Sequence, residues 1–336
     1  MAPTIKDVAL EAGVSVKTVS NVVNNYIHVS PRMRQVVTSA IEKLGYRPNI
    51  SARNLRRGRT GLIALALPSL ANPYFAELAQ SVVETADRAD LTVLVDCTDG
   101  SVERERTVVE GLGIQLVDGI ILCPHALTAD DLRACEGGPP LVLLSEMQPL
   151  VADSIAIDST SAARAATDHL VSTARRRIAV VGFAARQHGP VIAQRRLQGY
   201  RAGIRAAGLR YDSTIVALLP DDSVSLVMPA VQALLAEHPD IDAIFCYNDK
   251  IALAVLRALL SAGIAVPQRV AVIGIDDVEA SRLSSPSLST IGPDTSGIAG
   301  EAVTLLQARI DGDDSPVRQV VAGFRLLARE STAPSA

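Results

Sequence analysis

Tryptophan is absent from this chain and aromatic residues make up only 3% of it. A core without large rings must be aliphatic, and the 48% hydrophobic fraction, mostly Val, Ile, Leu and Ala, suits buried parallel strands. Cysteine is scarce. Cys97, Cys123, Cys135 and Cys246 form no CxxC pair and sit beside no His cluster, which excludes the usual zinc and disulfide frameworks and leaves small buried thiols in a reducing cytosol. The histidines (His28, His125, His169, His188, His238) are dispersed. There is no nucleophile elbow, P-loop or GxGxxG after the first strand, so catalytic residues, metal and cofactor are all expected to be none. No apolar run approaches a membrane span, and MAPTIKDVALEAG has no signal-peptide core. The expected location is the bacterial cytoplasm, at the nucleoid.

What is present is asymmetric charge. Residues 1–60 hold ten Lys/Arg against three acids, a net of +7; the whole chain is −4, so the remainder carries −11. A basic head on an acidic body reads as a polyanion-binding module joined to something else. The length of 336 residues also asks for more than one domain.

The head is patterned for three short helices. Thr4 with Asp7 can open the first through a capping box, Ile5, Val8 and Ala9 form its apolar face, and Gly13 ends it. A second helix opens at Ser15 and carries Val16, Val19, Val22 and Val23. The Ala9–Gly13–Val19 spacing is that of a tight helix-turn-helix. A third runs from about Arg32 to Leu44 after Ser30-Pro31, with Val36, Val37, Ile41 and Leu44 expected inward and Gly45 beyond its end.

The blocks TIKDVALEAGVSVKTVSNVVN, HVSPRMRQVVTSAIEKLGYRPN and SARNLRRG cover nearly the whole head and resemble the lac-repressor (LacI/GalR) family of bacterial regulators. The resemblance implies that the second helix enters the DNA major groove, with Val16, Lys17 and Asn21 reading bases. His28 reaches either a base or the backbone, or is a surface-loop histidine. Thr4, Ser15, Thr18, Ser20, Asn24 and Ser30 suit phosphate oxygens, while Ser15 and Ser30 equally suit helix capping. Residues Asn49, Ala52, Arg53, Leu55 and Arg56 fall in the hinge: a short helix forms there on DNA, with Leu55 as the minor-groove wedge and the arginines, Arg57 among them, flanking phosphates. The alternative is a solvated Arg-rich linker.

After Gly61, apolar strands alternate with helical segments. Strands are expected at 62–67, 91–96, 119–123, 141–145, 177–182, 243–247 and 270–275, and helices at 73–88, 103–116, 160–173, 191–207, 224–237, 249–262 and 296–310. That is a doubly wound α/β pattern with enough strands for two lobes. The blocks NPYFAEL, VDGIIL, AIDSTSAARAATDHL, QRRLQGYRAGI, IFCYNDKIALAVLRAL and VAVIGIDD extend the family resemblance over the body. It implies an all-α helix-turn-helix head, residues 1–48, a hinge at 49–59 and a periplasmic-binding-protein-like body at 60–336. Its N-lobe would be about 60–158 and 291–321, its C-lobe about 159–290 and 322–330, with three crossings near 158, 290 and 321 and a frayed tail at 331–336.

Ligands of open α/β sheets bind beyond the carboxyl ends of strands. That places Asn72, Tyr74 and Phe75 after the first strand, Asn248 after AIFCY and Asp276 after VIGI at an effector site, and the family resemblance implies that Arg196 in QRRLQGY contacts the effector there. Asn248 and Asp249 could equally cap the next helix, and Arg196 could pair with Asp276 in an unliganded cleft. LLPDDSVS (218–225) has no aromatic where sugar-binding relatives often carry one, so a stacking wall falls to Tyr74, Phe75, Phe183 or Tyr247. The function read from these features is a DNA-binding transcription regulator, a repressor of carbohydrate-uptake or catabolic genes controlled by a sugar-like effector. It would act on a pseudo-palindromic operator as a homodimer, or a tetramer. A cytoplasmic solute sensor for a nucleobase or nucleoside is the alternative.

Overall fold

The structure is a computed structural model that describes residues 3–23, 26, 28–46, 59–111, 117–135, 137–148, 150–183, 191–220 and 223–333. The chain divides into two compact units at Thr60/Gly61. In the first, α1 (Ile5–Ala12), α2 (Val16–Val23) and α3 (Pro31–Leu44) surround a small aliphatic core of Val8, Ala9, Val19, Val22, Val37 and Ala40. Thr4 and Asp7 close the expected capping box, and Gly13 turns the chain at φ 64°, where any side chain would be strained. Ser30 caps α3 by accepting from Met33 N at 3.3 Å, with Pro31 in its first turn. One inward assignment fails: Val36 is 42% exposed, and its neighbour Val37 is the buried residue, with Ala40 a turn beyond Val37. The 3.6-residue period allows only one of the adjacent pair Val36–Val37 to face the core.

In the second unit twelve strands among the described residues form two six-stranded sheets. The first runs β11-β5-β4-β3-β1-β2, from β1 (Leu62–Leu67), β2 (Thr92–Cys97), β3 (Gly119–Leu122), β4 (Leu141–Leu143), β5 (Asp153–Ile157) and β11 (Gln319–Ala322). The second runs β12-β10-β9-β8-β6-β7, from β6 (Ile178–Phe183), β7 (Val216–Leu219), β8 (Ala243–Cys246), β9 (Ala271–Ile275), β10 (Ser289–Pro293) and β12 (Phe324–Leu327). All pairs are parallel except β10–β12. Strands such as Ile63–Leu67 are buried on both faces, hence their unbroken apolar runs. β5, β7, β10, β11 and β12 had no such signature. β11 and β12 are edge strands with half of their residues exposed, including Val321 at 64%. β5 and β10 carry buried polar residues (Asp153, Ser154, Ser289, Thr290) that interrupt the pattern.

Helices cover the sheets: α4 (Pro73–Arg88), α5 (Val102–Val109), α6 (Ala129–Ala134), α7 (Ser159–Ser172), α8 (Val191–Ala206), α9 (Val224–Glu237), α10 (Asp249–Ser261), α11 (Glu279–Leu283) and α12 (Thr295–Ile310). The chain leaves the first sheet after Ile157, returns to it through Asp294 and α12, and crosses again at Gly323, the single residue between β11 and β12. The last two crossings touch, Asp294 N donating to Gly323 O at 3.0 Å. They fall a few residues beyond 290 and 321 because β10 runs through Pro293 and β11 through Ala322. The tail is also shorter than expected. Ser331 and Thr332 are fully buried, because Ser331 hydrogen-bonds both to β9 and to the loop before β10, while residues 334–336 lie outside the described residues.

Two packing features hold the layers in register. α8 packs closely on α7 through two glycines: a Cβ on Gly199 would collide with the Thr160 carbonyl, and one on Gly203 with the Thr167 side chain. In the first lobe, the fully buried Asp153 accepts from Arg309 Nε (2.8 Å), Arg309 Nη2 (2.9 Å) and Arg318 N (2.7 Å), joining β5, the end of α12 and the approach to β11.

These bonds hold the Asp153 carboxyl down at about 2 although its burial works the other way. The stabilisation is complete above the unfolded carboxylate value of ~3.9 and is lost as pH falls toward the folded value. Asp153→Asn should therefore cost about 3 kcal/mol at neutral pH, the usual penalty for breaking a buried pair. In melts from pH 7 to pH 3 the gap to wild type should narrow with acid; a gap independent of pH would refute this account.

Candidate functional site

On the head, α2 turns Val19 and Val22 inward, which leaves Val16 39% exposed and Lys17 exposed at its start. Asn21 follows Lys17 by one turn on the same face and is half-buried. An exposed methyl group, a cation and a carboxamide thus share one helix end, the set that can meet a thymine methyl, guanine O6/N7 and adenine N6/N7.

The hydroxyls around α2 differ in what they can offer. Thr4 Oγ1 donates to Asp7 Oδ2 at 2.7 Å, so its proton is committed to the helix start and closed to a phosphate unless that bond breaks. The Thr4 backbone amide, followed by the Thr4 hydroxyl, holds the Asp7 carboxyl below its ordinary value. Ser15 accepts from Thr18 N at 3.1 Å and shares a 2.9 Å hydroxyl contact with Thr18. Ser30 uses a lone pair in its cap, which leaves donation possible. Ser20 is half-buried on α2. His28 is exposed and packs edge-on against Tyr26, centroids 5.4 Å apart. Tyr26, itself 52% exposed and held by Arg34 on its carbonyl, is a surface ring that no sequence pattern singles out. Asn24 and the hinge residues Asn49, Ala52, Arg53, Leu55 and Arg56 lie outside the described residues.

In the body, each sheet has a topological switch point, at β1 between β2 and β3 and at β6 between β7 and β8. Asn72, Tyr74 and Phe75 follow β1. Asn72 is buried and caps α4, its Oδ1 accepting from Tyr74 N at 3.2 Å. Tyr74 and Phe75 meet edge-on at 5.4 Å, and Phe75 faces the His125 ring at 6.5 Å. From the other lobe come Tyr247 and Asn248 after β8, Asp276 after β9 and Arg196 on α8. The Phe183 side chain lies outside the described residues.

These groups converge. The Arg196 guanidinium is buried, lies 4.6 Å from the Tyr247 ring centroid and donates through Nη1 to the Tyr247 carbonyl. Its Nη2 stands 3.9 Å from Asp276 Oδ1, and its Nε is buried without a hydrogen-bond partner. Burial pushes the Asp276 carboxyl well up, Arg196 opposing and Asp249 adding to the rise. Burial likewise raises the Tyr74 phenol, and the charge of Asp276, across the cleft, adds to it. Burial lifts the Cys123 thiol, at the end of β3, to about 12. The cleft wall therefore disfavours charge, and a buried donor without a partner is costly in it.

The sequence alternatives at Asn248 and Asp249 separate here. Asn248 Oδ1 caps α10 by accepting from Ile251 N at 2.9 Å. Asp249 is fully buried, bonding to Thr290 (2.7 Å), Ser281 (2.7 Å) and Val278 N (3.2 Å), and burial raises it to about 6 despite those bonds. Two features went unread in the sequence. Glu146, in the loop after β4, pairs with Arg195 of α8 at 3.2 Å and accepts from Ser159 N, tying the lobes. Glu77 of α4 accepts from Glu279 N at 2.8 Å, a second tie between them. The strand-end rule that located Asp276 applies to Glu146 as well, since it follows a strand in the same way.

The model of the bacterial regulatory proteins of the lacI family matches residues 4–49, and that of a periplasmic binding protein-like domain matches residues 167–332. The HTH-type transcriptional regulator CelR of Thermobifida fusca is 35% identical over 98% of both chains. A structure of the transcriptional regulator CelR–cellobiose complex superposes with TM-score 0.73 at 32% identity, covering 98% of this chain and 99% of that one. The lac repressor dimer bound to operator and the anti-inducer ONPF superposes with TM-score 0.83 at 28% identity, over 99% of each. No helix among the described residues is long and apolar enough to cross a membrane. The two domains, in this order and over nearly the full length, place the chain in the LacI family: it is a DNA-binding transcription regulator and not an enzyme.

Proposed function

We propose that the protein is a repressor that works as a homodimer at chromosomal operators in the cytoplasm and is controlled by a neutral sugar. Each head would read one half-site of a roughly palindromic operator, with Val16, Lys17 and Asn21 at base edges and Ser15, Thr18 and Ser30 near phosphates. Leu55 would enter the minor groove at the centre, where the two hinges meet.

The observation that carries the effector assignment is the buried, unpartnered Nε of Arg196 between Tyr247 and Asp276. A hydroxyl satisfies such a donor, and a neighbouring carboxylate accepts from the next hydroxyl of a vicinal pair. The half-buried rings of Tyr74 and Phe75 offer an apolar wall for a sugar face. A phosphorylated ligand fits less well, because Arg195, the cation beside Arg196, is already paired with Glu146. Cellobiose, the ligand named in the structure of a relative, is the first compound to test. A sugar shifts the equilibrium between lobe arrangements only by its differential affinity for them, and the Glu146–Arg195 and Glu77–Glu279 ties are contacts it would strengthen or break.

Binding of the full-length dimer to DNA from its own upstream region should weaken steeply between 50 and 200 mM salt, by orders of magnitude if about six phosphates are contacted. Lys17→Ala and Asn21→Ala should each cost about 1–3 kcal/mol on that DNA and far less on random DNA. Salt-independent binding, or equal losses on both DNAs, would count against the base-reading set.

Leu55→Ala should reduce operator bending in a circular-permutation assay; unchanged bending would remove the wedge. In thermal-shift titrations cellobiose should raise the melting temperature of the wild type, and Arg196→Ala should abolish that shift while operator affinity without sugar is kept. A shift that survives the substitution would place the ligand elsewhere.

A further inference from the structure

The residue that faces Arg196 sits on an unusual corner. Asp276 has φ 135° and Asp277 φ 56°, two successive non-glycine residues in a region where glycine is the natural occupant. Such a corner persists only when its surroundings determine it, and here they do so from three sides. From within the sheet, Asp276 N donates to Ile291 O at 2.9 Å. From α10, Asp249 accepts from Val278 N and Ser281 Oγ just beyond the corner and from Thr290 Oγ1 beneath it. Gly274, two residues before the corner, can only be glycine, since a Cβ would run into Asp249 Oδ1.

The third side is the C-terminal segment. The Asp277 carboxylate is gripped by Arg329 Nη2 and by Arg282 Nη2, the latter at 2.9 Å. Arg329 is itself immobilised: its Nη1 donates to Leu288 O at 2.8 Å and its backbone N to Ser289 Oγ at 2.7 Å. The residues after it are stitched into the lobe. Ser331 exchanges backbone bonds with Val272 and Ser287, its hydroxyl donates to Val272 O and accepts from Ser289 N, and Thr332 bonds Ser289 and His169.

We infer that Arg329, through Asp277, is a positioning residue of the ligand site: residues 329–332 form a strap that fixes the direction in which Asp276 faces the cleft. Arg329 acts through the corner, by its grip on Asp277, and not on the ligand itself. The inference rests on reading Asp276 as a ligand contact. It assigns residues 329–332 a role in recognition that their distance in sequence from the other site residues conceals.

The test uses the full-length chain with Arg329→Met, Arg329→Lys, Asp277→Asn and the Met/Asn double variant. Hydrogen exchange by mass spectrometry reads the corner without any ligand. Peptides spanning 275–283 should exchange about tenfold faster in Arg329→Met and Asp277→Asn, with the rest of the body unchanged. The double variant should be no worse than either single one, since both remove the same link, and Arg329→Lys should recover part of the protection. Operator affinity without sugar should stay at the wild-type level, while cellobiose binding weakens about tenfold in the two single variants. Unchanged exchange at 275–283, or faster exchange spread over the whole lobe, would overturn the inference. A wild type that ignores cellobiose sinks the sugar reading instead, and the exchange result still decides whether the strap holds the corner.

Discussion

A parallel sheet must be covered on both faces, and its strands can be joined only by crossovers that return over those faces. Every strand of such a sheet ends at the same edge, so every loop able to carry a polar group toward a ligand gathers there. In this protein that constraint operates twice. Three crossings of the chain, at Asp158, Asp294 and Gly323, make two sheets of six strands share one chain and one cleft. Tyr74 from one sheet and Asp276 from the other come within electrostatic reach of each other although they are about two hundred residues apart. The contact between the second and third crossings, Asp294 N to Gly323 O, lies where any rearrangement of the lobes must pivot.

The cleft holds charged groups where burial disfavours them. Arg196, Asp276 and Asp249 are all buried within one corner of the second lobe, where burial disfavours ionised carboxyls and an unpartnered guanidinium nitrogen alike. A core built for stability alone would hold none of them. Asp153 is the contrast: it is as deeply buried, but four donations from two arginines keep it ionised and structural. Saturation of the hydrogen bonds separates Asp153 from Arg196: the satisfied carboxylate holds a lobe together, whereas the Arg196 Nε is buried without a partner.

Much of the fold was legible because it depends on local pattern. Thr4–Asp7, Gly13, Ser30-Pro31 and Gly45 mark the helix ends of the head, and each acts within one turn of itself. The fully buried strands announced themselves as apolar runs, Ile63–Leu67 above all. Strands that are half-exposed or carry buried polar groups did not: β11 and β12 are edge strands with no buried residue, and β5 is opened by Asp153, whose partners lie more than 150 residues away. Ser331 and Thr332 look in sequence like the start of a frayed polar tail, and only the neighbouring β9 and β10 bury them. Of the site, Asp276 was legible from a strand end and Arg196 from the family resemblance of QRRLQGY, whereas Asp277 and Arg329 matter through partners that no spacing reveals.

The sequence by itself determined the two-part organisation, the three-helix head with Val16, Lys17 and Asn21 on its exposed helix, and an aliphatic doubly wound body. These features arise from charge, capping and periodicity, which act over a few residues and need no knowledge of the rest. The tertiary structure alone decided which of the candidate side chains are committed and which are open. Thr4 turned out to be occupied by Asp7, Asn248 by Ile251 and Asp249 by the loop beyond Asp276, while Arg196 kept one buried donor without a partner. Commitment is a matter of distance and burial between residues far apart in the chain, and those are settled only when the two sheets close around the same cleft.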